Sequence, residues 1–126
     1  MLILRHEPSL LLLFVAGTAI GALSWLAAYA VSGVFEPYDS SLGLLVNQVV
    51  LSAPAAFVAY RYRASASLVL LVGAYVGMNA YAYSFGGSEH RVWAALGAVV
   101  STMLLLAPVL LALGAVAYRR LRRGPP

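Results

Sequence analysis

Two phenols and an amide, Tyr75, Asn79 and Tyr83, follow one another at intervals of four in one apolar stretch, so a helix carries them as a single stripe. Such groups either hydrogen-bond to a partner helix or meet a ligand by hydrogen bonding, and do not themselves make or break bonds. Covalent chemistry would need a nucleophile with a base, or a metal site. The four carboxylates, Glu7, Glu36, Asp39 and Glu89, all fall in the polar segments at helix ends or between apolar runs. The absence of cysteine excludes a thiolate nucleophile, a disulfide and a zinc-thiolate site. His6 and His90 fall on opposite sides of the membrane in the topology below and cannot share a metal. The Glu89-His90-Arg91 run reads as a solvated turn. The expectation is a protein that is not an enzyme and holds no metal or cofactor.

Four apolar runs must position that stripe, from about Ser9 to Val31, Ser41 to Tyr60, Ser67 to Ser84 and Val92 to Tyr118. Each is about the length a helix needs to cross ~30 Å of hydrocarbon. A composition 63% hydrophobic and 10% charged fits a polytopic membrane protein, in which residues 1–126 form a single domain of four transmembrane helices. Of eight basic residues, Arg5, Arg61, Arg63, Arg119, Arg120, Arg122 and Arg123 fall on one side of four alternating crossings, and only Arg91 on the other. The positive-inside bias therefore places both termini in the cytoplasm. The net charge of +4 marks helix ends that meet anionic headgroups, and nucleic acid is not an expected partner. Ala28-Tyr29-Ala30 has the form of a signal-peptidase site, but the apolar stretch before it exceeds the ~7–15 residues of a signal core, and a retained first helix is expected.

Depth strengthens the reading of the stripe. With span centres near residues 20, 51, 75 and 105, Ser24, Asn47, Asn79 and Thr102 each lie about four residues toward the outer side, ~6 Å above the midplane. One polar layer, bracketed by Tyr75 and Tyr83 and flanked by Gln48 and Ser101, is the candidate substrate-binding region. No ionisable side chain lies within a span, which argues against a proton-coupled pump. Gly17 and Gly21 in the first span, and Gly73 and Gly77 in the third, form small-residue faces for helix packing, within the chain or between chains. Trp25 and Trp93 read as the outer aromatic belt, and Tyr60, Tyr62 and Tyr118 as the inner one. Pro54 and Pro108 each free a carbonyl one turn back and permit a kink.

The two hairpins read as parallel copies. Val15-Ala16-Gly17-Thr18-Ala19-Ile20-Gly21 opens the first and Val58-Ala59-Tyr60-Arg61 closes it; Val72-Gly73-Ala74-Tyr75-Val76-Gly77 opens the second and Val116-Ala117-Tyr118-Arg119 closes it. Parallel repeats are a known plan of small transporters. Together with Phe14-Val15-Ala16-Gly17 and the closing Phe57-Val58-Ala59-Tyr60-Arg61, this plan resembles the GtrA-like family of small four-helix membrane proteins. That resemblance implies handling of polyprenyl-phosphate-linked sugars for cell-envelope polysaccharide, in a bacterial inner membrane, as a carrier or an accessory subunit. Partners would be membrane lipids, a second copy of the chain or a glycosyltransferase. Arg61, Arg63, Arg119 and Arg120 would then take the lipid phosphate.

A second resemblance is to fluoride channels of the CrcB type. Gly17-Thr18-Ala19-Ile20-Gly21-Ala22 is similar to their first-helix glycine motif, Val46-Asn47 to their second-helix Val-Asn, and residues 73–85 to their third-helix break. Where those channels carry Thr and Phe, this chain has Asn79, Ala80, Tyr81 and Ser84, and Trp25 stands where their first helix has Arg. Two further readings thus accompany the carrier: a small-ion channel subunit with Asn47, Asn79 and Tyr81 along its path, and a structural subunit of a larger membrane complex.

Overall fold

The computed structural model describes residues 8–123 and is helical throughout, with no strand among those residues. Arg5, His6 and Glu7 lie outside the described residues. Helix α1 spans Leu10–Ser32, α2 Ser41–Arg61, α3 Ala64–Phe85, α4 Gly87–Val92, α5 Ala94–Leu104 and α6 Leu106–Arg123, with a single 3-10 turn over Pro37–Asp39. Four helices are long and apolar enough to cross a membrane: α1, α2, α3, and α5 with α6 taken together.

The ends of the first two spans follow ordinary capping chemistry. The Ser9 hydroxyl accepts the Leu12 N–H at 3.1 Å and the Ser40 hydroxyl accepts the Gly43 N–H at 3.2 Å, each satisfying a donor of a first turn. Gly33 closes α1 at φ 76°, in the left-handed region glycine enters without a Cβ clash, and its N–H returns to the Tyr29 carbonyl.

The third and fourth spans depart from the expected limits. Helix α3 begins at Ala64, since Ala64, Ser65 and Ala66 continue a helix once Arg63 has turned the chain in extended geometry. The outer turn expected over residues 85–91 instead winds into the short α4. The fourth span breaks at Leu105, three residues before Pro108. A proline at 108 has no N–H for the Leu104 carbonyl, and the chain tightens there, with the Leu105 N–H reaching Thr102 O at 3.1 Å. Pro54 leaves α2 continuous.

Helices α1 and α3 run parallel with their backbones in contact. A Cβ added to Gly17 would overlap the Leu70 carbonyl, one on Gly21 the Ala74 carbonyl, one on Gly73 the Phe14 carbonyl and one on Gly77 the Thr18 carbonyl. The four glycines interleave across one seam within the chain, which answers whether they pack within it or between chains. The fourth span lies parallel to α2, Gln48 meeting Leu104 near one end and Tyr60 meeting Tyr118 near the other. Ala55 and Ala59 of α2 pack with Ala112 and Val116 of α6 and with Leu71 of α3. A second cluster joins Trp25, Leu51, Ala74, Met78 and Leu104, and a third joins Leu13, Val58, Ala66 and Leu70. Leu11, Leu45, Phe57, Leu68, Leu110 and Leu113 are exposed, the apolar exterior that lipid would cover.

Gly77→Val should therefore lower stability in detergent by about 1–3 kcal/mol or prevent folding, because the helix backbones must part. Gly114→Val, where nothing lies within 4 Å of an added Cβ, should leave the unfolding free energy within about 0.5 kcal/mol of the parent.

Candidate functional site

The polar layer separates into two hydrogen-bonded groups. In the first, Ser24 and Asn47 are fully buried; Asn47 Nδ2 donates to Ser24 Oγ at 3.0 Å, and Ser24 Oγ donates to the Gly21 carbonyl at 2.6 Å. Gln48 Nε2 donates to Asn47 Oδ1 at 3.0 Å and to the Leu104 carbonyl at 2.9 Å. That carbonyl is the acceptor Pro108 leaves without its helical donor, so a side chain of α2 completes the backbone of the fourth span. The group ties α1, α2 and the α5–α6 break together.

The second group faces an opening. Asn79 donates to the Tyr75 carbonyl at 2.8 Å, the single Ser101 hydroxyl hydrogen is shared between the Gly97 carbonyl at 2.9 Å and Asn79 Oδ1 at 3.4 Å, and the Tyr75 hydroxyl donates to the Ala98 carbonyl at 3.2 Å. These contacts join α3 to α5 along one wall of a cavity of about 390 Å³, whose lining also includes Trp25, Tyr38, Tyr83 and His90. Tyr83 is exposed at the rim, where Arg91 donates from Nε to its carbonyl at 3.2 Å and sets its guanidinium 5.5 Å from the ring centre. Thr102, expected in the same layer, is exposed and donates back to Ala98 O within its own helix at 3.0 Å.

The end of the bundle at which α1 and α3 finish is closed by aromatic rings. Trp25, 3% exposed, meets Phe35, Tyr38 and His90 edge-on at 5.5, 6.1 and 6.3 Å, and Phe35 stacks on Tyr81 at 5.8 Å. Above them His90 Nε2 lies 2.7 Å from Glu36 Oε1, a contact between the segments that follow α1 and α3. His90 and Glu36 are thus joined, where the sequence suggested only a solvated charge run. Among the described residues no group of three His, Cys, Asp or Glu side chains could hold a metal ion.

The arginines at the opposite end also separate. Arg119 Nη1 donates to the carbonyls of Tyr60 at 3.1 Å and Tyr62 at 2.5 Å, capping the C-terminal end of α2. Arg61, Arg119, Arg122 and Arg123 line one cleft of about 270 Å³ beside Tyr60. Arg120 lies on another face, beside an apolar groove formed with Ala64, Leu113 and Val116. Arg63 is the exposed residue that precedes α3.

Sequence reasoning passed over Gln48, Trp25, the Glu36–His90 pair, Arg122 and Arg123 as site residues. For Gln48 a signal existed, since an amide in an apolar span and a proline in another span that frees a carbonyl are complementary needs. Nothing in the spacing could have paired Glu36 with His90, which stand 54 residues apart.

Gln48→Leu should destabilise the protein by about 1–3 kcal/mol, because the Leu104 carbonyl is left buried without a donor. In a Pro108→Ala background the restored backbone N–H can serve that carbonyl, and the same Gln48→Leu change should cost clearly less in a double-mutant cycle of unfolding free energies. Equal costs in both backgrounds would refute the coupling.

Comparison with protein-family models, with curated proteins and with solved structures finds no match to this chain.

Proposed function

We propose that this chain is a non-enzymatic carrier, or an accessory subunit, for a polyprenyl-phosphate-linked sugar, spanning a bacterial inner membrane four times with both termini in the cytoplasm. The observation that carries the reading is the convergence of Arg61, Arg119, Arg122 and Arg123 with Tyr60 around one cleft at the shared end of α2 and α6. Guanidinium groups bind phosphate in paired hydrogen bonds, and a cleft at a helix end beside the headgroup region is where a lipid phosphate resides. Arg119, held against two carbonyls, fixes the cleft, whereas Arg61, Arg122 and Arg123 are exposed and able to close on a ligand. Arg63 and Arg120 belong to the surrounding basic surface.

The parallel pairing of α1 with α3, and of α2 with α5–α6, agrees with the proposed parallel repeat, since corresponding helices of the two hairpins lie against each other. Within the polar layer, Tyr75, Asn79 and Tyr83 are placed to meet a sugar, while Ser24 and Asn47 serve packing and Thr102 faces outward. A path for a small ion along Asn47 and Tyr81 has less support, because Asn47 is fully buried in a closed hydrogen-bond group and Tyr81 is stacked on Phe35.

The test is native mass spectrometry of the protein with undecaprenyl phosphate as the probe. The parent should retain the lipid, and Arg122→Lys with Arg123→Lys, which keeps the charge that sets topology but loses the paired donor geometry, should retain it about tenfold less. Arg91→Lys, at the opposite end, should have no effect. Undiminished retention by the double lysine variant would remove the basis of the reading.

A further inference from the structure

Between α3 and α6 the bundle leaves an apolar groove that ends at a cation. A recess of about 130 Å³ is lined by Ala64, Leu68 and Leu71 of α3 and by Val109, Ala112 and Leu113 of α6. It adjoins a wider one of about 540 Å³, which shares Ala64 and Leu113 and continues along α6 past Val116 and Ala117 to Arg120. Leu71, Ala112 and Val116 are buried beneath this line, while Leu68 and Leu113 stand exposed beside it. Ser67 also borders the first recess, but its hydroxyl donates to the Ala55 carbonyl of α2 at 2.7 Å, so the groove stays apolar. The small side chains of Ala64, Ala112 and Ala117 do not fill the space that glycine closes between α1 and α3.

The charge at the end of the groove narrows what can occupy it. Arg119 is held by two carbonyls of α2, whereas among the described residues nothing accepts a hydrogen bond from Arg120 or pairs with it. No carboxylate lines either recess, and Glu36, Asp39 and Glu89 all border a recess at the opposite end of the bundle. The counter-charge of Arg120 must therefore come from outside the described fold. Length supplies an independent constraint. From Val109 to Arg120 is 11 residues, ~16 Å at helical rise, which matches one leaflet, half of a hydrocarbon core of ~30 Å. An acyl chain lying along the groove would bring its headgroup to the level of Arg120.

We infer that the α3–α6 groove is a binding site for an anionic diacyl phospholipid, one chain lying against Ala64, Ala112 and Ala117 and the phosphate meeting Arg120. The site goes beyond the carrier reading and is independent of it: Arg120 lies on a different face from the cleft of Arg61, Arg119, Arg122 and Arg123. A single-leaflet groove fits the chain of a bilayer phospholipid, whereas a polyprenyl chain is several times longer.

The test is native mass spectrometry of the full chain with phosphatidylglycerol and phosphatidylcholine of identical acyl chains as probes. The parent should retain phosphatidylglycerol about fivefold better, the factor expected from one arginine near the membrane surface. Arg120→Gln should abolish that preference. Ala117→Phe, which keeps every charge and fills the groove from an exposed position, should lower phosphatidylglycerol retention to a similar extent. Both variants should keep the parent's unfolding midpoint and its retention of undecaprenyl phosphate. The Arg122→Lys, Arg123→Lys protein should keep the phosphatidylglycerol preference, which separates this site from the arginine cleft. Equal retention of the two phospholipids by the parent, or a preference that survives Arg120→Gln, would overturn the proposal. Loss in Arg120→Gln but not in Ala117→Phe would reduce the site to surface charge and overturn the groove. A dimer that Ala117→Phe dissociates would give the groove to a second copy and overturn the lipid assignment.

Discussion

Backbone contact between α1 and α3 is the constraint on which the rest of the bundle depends. In hydrocarbon there is little hydrophobic gain from bringing two apolar helices together, so their association relies on close packing and on hydrogen bonds. Gly17, Gly21, Gly73 and Gly77 remove the side chains that would hold the two axes apart, and each meets a carbonyl of the partner helix. The seam uses one face of α3 completely. Tyr75 and Asn79 must then leave on the other side, toward α5, and that is where the cavity forms.

The buried hydrogen bonds add what small-residue packing cannot, a fixed register between α2 and its two neighbours. Pro108 interrupts the fourth span, and the interruption creates an acceptor that only a polar side chain on an adjacent helix can reach. Gln48 meets it, and through Asn47 and Ser24 the same chain of contacts continues to Gly21, in the α1–α3 seam. Kink and seam are thus joined by one line of hydrogen bonds. Shifting α5, which carries the far wall of the aromatic cavity, would strain that line.

Much of this was legible in the sequence, and the parts that were not share a cause. The four long apolar helices, the glycine faces and the Tyr75–Asn79 stripe all follow from periodicity within one helix, which a linear reading records directly. The break at Leu105 was harder, because Pro54 and Pro108 have the same local chemistry and only the second interrupts its helix. The identity of the carbonyl's partner, the pairing of Glu36 with His90 and the division of the arginines between separate faces depend on which helices become neighbours. Trp25 shows the limit most clearly. Its depth in sequence fits an interfacial belt, yet it lies 3% exposed among rings from the α1–α2 connection, α3 and α4.

The chemical contrast between the two ends follows from the same architecture. Guanidinium groups gather where α2 and α6 finish together, because parallel helices bring matching ends into register and each ends in arginine. At the other end the turns after α1 and α3 carry the carboxylates, and the rings beneath them make a neutral, aromatic-walled space. From Ser101 to Arg119 is 18 residues, ~27 Å at helical rise, too far for one compact headgroup to touch both places at once. On the proposed carrier reading, a lipid-linked sugar would meet the two ends in succession. The break at Leu105 is held to α2 by the Gln48 hydrogen bond, and α5 is held to α3 by the contacts of Tyr75 and Ser101, so any tilt of α5 must release both sets of contacts together.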